Sequence, residues 1–424
     1  MRGRAYVCPA AGTRRLHPGA SSPFTFAADS RHYPVAKSAA MSKSLRANLR
    51  GTLLRGPLHA SWAARRGRQL DRAYRENLLR EKSPVPAITT APALANPGAL
   101  RRVLFIADCA WEPQSLIPEL ARLAEVRVLD LHPDLERVTV ADAPEIVLRS
   151  IGAFAKQETS LAPDAVIFYA RPNLLCDEVF AALRRWWKCP LLGMNLDDKL
   201  QFFPHGLLAD ANDDYARWAR KFDLNLTSCL AATDWYRASG CAAVYLPPGF
   251  HARPEMAAPA SSDFKYELSF VGAKRHEREV FIRQLQDAGI PVKPFGRDWP
   301  GAKWIADPDE IYRGSQLNLG LGHPTPSLAL ANLKARDFEC PGAGGCYLTT
   351  YNWELALHFE LGREIICYRN FEELIELYAF YRRRPVECLK IAQAGWRRCA
   401  AEHSWEKRFR KVFTEAGFKV RPSP

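Results

Sequence analysis

From Arg102 onward, short apolar runs alternate with longer segments in which apolar residues recur at helical spacing. That alternation predicts βα units wound around parallel sheets. A first series of strands is expected over residues 103–107, 126–131, 165–169, 191–195, 224–227 and 243–246. Residues 252–263, rich in Ala, Pro and Ser, interrupt the pattern and read as a linker. It then restarts, with strands over 268–271, 292–295, 317–321, 346–349 and 365–368 and a helix through 281–285. The expected fold class is therefore α/β, with two doubly wound domains, 101–251 and 264–424, facing a cleft at the carboxyl ends of their strands.

Upstream the pattern differs. Residues 43–82 place Leu54, Leu58, Trp62, Leu70, Tyr74 and Leu78 four apart within each group, among Arg65, Arg66, Arg68, Arg72 and Arg75. This predicts a basic amphipathic arm, which either packs on the body or binds an anionic surface, a peripheral membrane contact or nucleic acid. Pro84, Pro86, Pro92 and Pro97 mark a linker after it, so residues 1–100 form a basic extension. The opening residues are rich in Arg, Ser and Ala, which suggests a transit peptide, while Met41-Ser-Lys-Ser offers an alternative start.

Charge sharpens this division. The chain of 424 residues has a formal net charge of +13, and residues 1–100 hold 17 Lys and Arg against four acids, so they carry the whole excess. Residues 101–424 balance 42 basic against 42 acidic side chains. A body basic as a whole is excluded, and no specific nucleic-acid partner is expected. No run of about 18 apolar residues occurs, so no spanning helix is predicted. Eleven scattered cysteines without a Cys-x-x-Cys pair point to reduced thiols in a cytoplasmic setting and to no zinc site.

The chemistry is concentrated in the second half. No Gly-x-x-x-x-Gly-Lys-Ser/Thr occurs, and the cluster Gly342, Gly344, Gly345 precedes a strand rather than opening a helix, so P-loop and dinucleotide chemistry are disfavoured. Ser269-Phe270-Val271-Gly272 ends a strand, with Arg275 and Arg278 at the start of the next helix. Lys334-Ala335-Arg336-Asp337-Phe338-Glu339 leads into Gly344-Gly345. Cations for a diphosphate, a carboxylate for ribose hydroxyls and glycines for close backbone approach suit a nucleoside diphosphate. In the first half Asp197, Asp198 and His205 follow a strand at its carboxyl end, where a carboxylate can take a proton from an acceptor hydroxyl; helix capping is the alternative. Asp213-Asp214 could supply a metal-binding carboxylate pair, and His323 lies in a loop after a strand. Asp307-Pro308-Asp309-Glu310 and Asn370-Phe371-Glu372-Glu373 read as helix starts with a structural role.

These motifs resemble a family. Ser269-Phe270-Val271-Gly272 with Arg278, Lys334-x-Arg336-x-Phe338-Glu339 with Gly344-Gly345 and Leu348-Thr349-Thr350, Phe359-x-x-Gly362-x-Glu364-Ile365, Phe371-Glu372-Glu373-Leu374 and His403-Ser404-Trp405 with Arg408 are similar to the spore-maturation CgeB-type glycosyltransferases. The resemblance is densest over 263–416 and does not cover 1–100. It implies a GT-B fold whose C-terminal domain ends in a closing helix and binds a nucleotide diphosphate sugar as donor. Glu339 would hold the ribose, and Arg278 with Lys334 or Arg336 would neutralise the diphosphate. Gly272, Gly344 and Gly345 complete the expected donor site. No tightly bound cofactor is implied, and fixed cations make a metal unnecessary. The acceptor is a glycan, lipid or protein hydroxyl. Position 331, eight before Glu339, is Ala rather than the second glutamate of the wider retaining pattern, so stereochemistry stays open. The rival reading is a catalytically silent binding or scaffold protein of the same fold that docks on nucleic acid or membrane through its basic arm.

Overall fold

The computed structural model describes residues 94, 97–135, 142–169, 171–202, 215–253, 257–301, 305, 307–322 and 331–422. The arm expected over 43–82, Met41, His205, Asp213, Asp214 and His323 lie outside them.

The first sheet contains β1 (Arg102–Ala107), β2 (Glu125–Asp130), β3 (Ala165–Tyr169), β4 (Leu191–Asn195), β5 (Leu224–Thr227) and β6 (Ala243–Tyr245), in the order β2-β1-β3-β4-β5-β6. The second contains β7 (Tyr266–Val271), β8 (Val292–Phe295), β9 (Ser315–Gly320), β10 (Tyr347–Thr350) and β11 (Ile366–Tyr368), in the order β11-β10-β9-β7-β8. Every pairing is parallel. All eleven expected strands are present, four of them with the expected bounds. Helices cover both faces, so β1, β4, β5 and β9 are buried at nearly every position; β1 and β4 read as near-continuous apolar runs, while β5 and β9 alternate apolar residues with buried Asn225, Thr227, Ser315, Gln316 and Asn318.

Helices of the first half are α1 (Leu116–Leu120), α2 (His132–Leu135), α3 (Ala143–Gln157), α4 (Asp177–Trp186), α5 (Asp198–Gln201), α6 (Tyr215–Ala219) and α7 (Ala232–Ala238). The second half adds α8 (His276–Asp287), α9 (Asp309–Arg313), α10 (Arg336–Ala343), α11 (Phe371–Tyr381) and α12 (Pro385–Glu402), and the chain then forms α13 (Trp405–Glu415). Asn370 caps α11 by accepting the Glu373 N–H, and Ser404 caps α13 by accepting that of Lys407. None of these helices is long and apolar enough to cross a membrane.

Last in sequence, α13 belongs spatially to the first sheet. Trp405, Phe409, Val412 and Phe413 are buried in one cluster with Leu100, Phe105, Leu116 and Met194. The chain therefore crosses between the halves twice, at Phe250 and at Ser404. The crossings are stitched together, with Phe250 N–H donating to His403 O (3.2 Å) and Trp405 N–H to Phe250 O (3.1 Å). Gly249 makes this approach possible, since a Cβ there would stand 2.7 Å from Trp405 N.

A buried ion pair also joins the halves. Lys199 Nζ lies 3.0 Å from Glu354 Oε1 and donates to Ala331 O at 2.7 Å. Glu354 Oε2 accepts the Leu230 N–H at 3.0 Å. Beside it, Tyr245 Oη meets His358 Nε2 at 3.0 Å, and Arg408 reaches His403 Nδ1 at 3.0 Å. Burial and the Arg408 charge hold His358 and His403 well below the usual imidazole range, to about 2 and about 4. Both rings are thus neutral and available as acceptors.

Candidate functional site

Strand order reverses at β1/β3 in the first sheet and at β7/β9 in the second. Chains leaving β1 and β7 therefore diverge from their neighbours at the carboxyl edge and open a crevice. A cavity of about 420 Å³ occurs there, lined from one side by Trp111, Gln114 and Ser115 after β1 and from the other by Gly272 and Arg275 after β7. The turn after β1 is held by buried Glu112, whose Oε2 accepts the N–H groups of Ala110 (2.7 Å) and Trp111 (2.9 Å). Trp111 stacks on Trp405, with ring centroids 5.9 Å apart.

The turn after β7 depends on two glycines. Gly272 has φ +155°, and a Cβ there would lie 3.0 Å from Arg336 Nη1. Gly296, after β8, has φ +120°, and its Cβ would stand 2.6 Å from the Gly272 carbonyl oxygen. Trp299 Nε1 donates to that oxygen at 2.8 Å, which fixes the loop.

Above this turn two guanidinium groups flank Phe270, Arg278 at 5.7 Å and Arg336 at 5.5 Å from the ring centroid. Arg278 also donates to Ala273 O at 2.9 Å. Arg336 Nη2 reaches Leu321 O at 3.4 Å, while its Nε is buried without a hydrogen-bond partner. Arg336 opens α10, and Glu339, three residues on, shares its face and the cavity wall. Burial pushes the Glu339 carboxyl up to about 7 against the attraction of Arg336, with Asp309 and Asp337 adding to the rise. Lys334 reaches across to the first half, with Nζ 2.7 Å from Asp197 Oδ1. Burial raises the Asp197 carboxyl, but the Lys334 charge and hydrogen bonds from Lys334 and Asn332 outweigh it and leave it below the ordinary value.

The cavity wall thus includes Gly272, Arg278, Lys334, Arg336 and Glu339 among the residues singled out from sequence. Gly344 and Gly345 are not on it, and both have structural reasons to be glycine. Gly344 ends α10 at φ +88° against Pro259, and a Cβ at Gly345 would stand 2.8 Å from Asn318 Nδ2 and from Cys340 Sγ. The segment leading into these glycines is helical over Arg336–Ala343 despite Pro341. Asp197 and Asp198 separate at the start of α5. Asp197 keeps 38% of its side chain exposed toward Lys334, whereas Asp198 is fully buried and accepts the Tyr236 hydroxyl at 2.8 Å. Burial pushes Asp198 up to about 7. Its place in the core, not in the cleft, corrects the expectation of a catalytic role; His205 is outside the described residues.

Some lining residues carried no signal in the sequence. Trp111, Gln114 and Ser115 have no motif around them. Asp309, read as a helix start, also lines the cavity, with Oδ2 3.2 Å from Arg253 Nη1. Burial pushes it up to about 6, with Arg253 opposing. Arg275 is exposed at the rim. Among the described residues, no group of three or more His, Cys, Asp or Glu side chains could hold a metal ion.

No curated protein is similar to the chain in sequence. Among solved structures, sucrose-phosphate synthase from Thermosynechococcus elongatus shares 11% identity over 74% of this chain and 99% of that one, with a TM-score of 0.52. Anabaena HepE, solved in complex with UDP and glucose, shares 12% identity over 74% of this chain and 98% of that one, with a TM-score of 0.51. A UDP-GlcNAc 2-epimerase from Neisseria meningitidis, bound to UDP-GlcNAc, shares 10% identity over 74% and 99% of the two chains, with a TM-score of 0.46. The fold is the GT-B arrangement of two α/β domains. Residues 275–414, which hold Arg278, Lys334, Arg336 and Glu339, match the model of the glycosyl transferase-like family.

Proposed function

We propose that the protein is a glycosyltransferase that takes a hexosyl group from a nucleoside diphosphate sugar, with UDP the first nucleotide to test. The observation that carries this is the cationic pair Arg278 and Arg336 around Phe270, over the Gly272–Gly296 turn, with Glu339 one turn along the same helix. Two cations and a close backbone fit a diphosphate, and the carboxylate accepts from ribose hydroxyls. HepE, of similar fold, was solved with UDP-glucose, which supports the uridine choice. The CgeB-type motifs between 263 and 416 support a group-specific assignment.

In this reading the donor diphosphate lies against Arg278 and Arg336, and the unpartnered Arg336 Nε is available to it. As the bond from the anomeric carbon to the diphosphate breaks, negative charge grows on the departing oxygen, and fixed cations stabilise it without a metal. Lys334 has a choice of anion. Without donor it holds Asp197, and a bound diphosphate competes for the same ammonium. Asp197, so released, faces the cleft as the base that takes the proton from an acceptor hydroxyl. The acceptor approaches from the first half.

Calorimetric titration with UDP and other nucleoside diphosphates tests the donor site. Arg336→Ala should weaken binding about 10- to 100-fold, the loss of one or two charge-assisted hydrogen bonds. Unchanged affinity in both Arg336→Ala and Glu339→Ala would remove the assignment. Asp197→Asn should leave nucleotide affinity within a few-fold while abolishing transfer.

A further inference from the structure

The turn between α11 and α12 differs from the rest of the body. Residues 380–398 contain six cations, Arg382, Arg383, Arg384, Lys390, Arg397 and Arg398, against the single acid Glu387, in a body whose charges balance only when this segment is included; Arg382, Lys390 and Arg398 are paired with Glu267, Glu387 and Glu364, which leaves Arg383, Arg384 and Arg397 as the cations offered outward. On either side of the three consecutive arginines stand Phe380 and Val386, 47% and 55% exposed. They are two of the five large apolar side chains exposed among the described residues. The Arg384 guanidinium lies 3.8 Å from the Phe380 ring centroid and donates to Phe380 O at 2.7 Å, which fans it over the apolar tip. Arg383 is exposed and has no acidic partner among the described residues.

A groove of about 670 Å³ adjoins the turn, with Arg363, Arg384, Lys390 and Arg397 in its wall beside one acid, Glu387, which pairs with Lys390. It is wide and cationic enough for headgroup phosphates. Its place in the fold is set by Gln316, near the amino end of β9, whose Nε2 donates to Tyr381 O (2.8 Å) and Arg382 O (3.0 Å). The basic turn is therefore at the amino ends of the second sheet, opposite the carboxyl ends that form the cleft.

We infer that this turn docks the protein on an anionic lipid bilayer, with the cleft facing away from the surface. Cations next to apolar tips are the chemistry of an interfacial element: the arginines meet anionic headgroups while Phe380 and Val386 enter the acyl boundary. Phosphodiester backbones would use the charges and leave the apolar tips without a role. The inference is independent of the donor assignment, since no residue of the cavity takes part.

The test is co-sedimentation of the full chain with phosphatidylcholine vesicles, with and without phosphatidylglycerol. Each cation near such a surface contributes about 1 kcal/mol, so Arg383→Ser/Arg384→Ser/Arg397→Ser should lower partition to the anionic vesicles about a hundredfold. Phe380→Ser/Val386→Ser should abolish the binding that persists at high salt. Both variants should keep the wild-type melting temperature and UDP affinity. Equal wild-type binding to neutral and anionic vesicles would overturn the inference, as would a triple variant within about threefold of wild type. Oligonucleotide binding that falls in parallel with vesicle binding, and is indifferent to Phe380→Ser/Val386→Ser, would also overturn it and identify a general polyanion site.

Discussion

Lys199→Met keeps the length of the side chain and removes its charge. In the wild type, Nζ lies 3.0 Å from Glu354 Oε1, and the two side chains are 1% and 0% exposed. The variant leaves the Glu354 carboxylate buried, with the Leu230 N–H at 3.0 Å and the more distant Tyr245 hydroxyl at 3.4 Å. Two neutral donors do not replace a charge in a fully buried site. Removing one partner of a buried pair costs about 3–5 kcal/mol, and that is the expected loss. Glu354→Gln should cost a similar amount, because the buried Lys199 ammonium then loses its carboxylate counter-charge. In the double variant no charge remains to be stranded, and the glutamine oxygen can still accept from Leu230. Its loss should be about 1–2 kcal/mol, far below the sum of the singles, a coupling several times the scatter of independent sites. Urea unfolding followed by tryptophan fluorescence, with slopes compared across the four proteins, measures the cycle. Single-variant losses below about 1 kcal/mol, or an additive double variant, would refute the reasoning.

Three further outcomes are expected. Gly296→Ala forces a Cβ to within 2.6 Å of the Gly272 carbonyl and should displace the loop under the diphosphate, weakening UDP binding about tenfold or more. Gly362→Ala, at φ +85° in open space, is its control and should lose stability but no affinity. Glu339, pushed up to about 7, loses its proton as pH rises through neutrality, so UDP binding should tighten more steeply from pH 6 to pH 8 in wild type than in Glu339→Gln, where only the second ionisation of the terminal phosphate, at about pH 6, remains. The stability sign is opposite: a carboxyl raised in the folded state binds its proton more tightly there, so its contribution declines between the ordinary value of 4.5 and about 7. Trp405→Ala empties a fully buried site between Trp111 and Phe409 and should cost about 3–5 kcal/mol, read by thermal unfolding.

Strands such as β1, β3 and β4 were readable because each is a mainly apolar local run, as a parallel sheet covered on both faces favours, while β2, β5 and β9 showed as short alternations of apolar and polar residues. The charged residues of the cavity wall were legible because Arg278 lies at the start of the helix after β7, and Lys334, Arg336 and Glu339 fall within six consecutive residues. What escaped depends on long-range proximity. Trp111 reaches the cavity because Glu112 folds back under the turn and Trp405, 294 residues away, backs the ring. Asp197 and Asp198 look equivalent as neighbours, and only the start of α5 turns one toward Lys334 and the other toward Tyr236. Gly344 and Gly345 were misread because glycines that end a helix and glycines that admit a ligand look alike in sequence.

Because α13 completes the core of the first sheet, the order of synthesis and the order of folding diverge. The strands of that sheet are all made by Tyr245, yet Phe413, which closes the core, follows 168 residues later. At about 5–20 residues per second, the apolar surface that receives α13 waits roughly ten to thirty seconds for its cover. Truncation ahead of Trp405 would make that exposure permanent and favour aggregation. A chimaera that exchanges the first half for another must carry residues 405–415 with it.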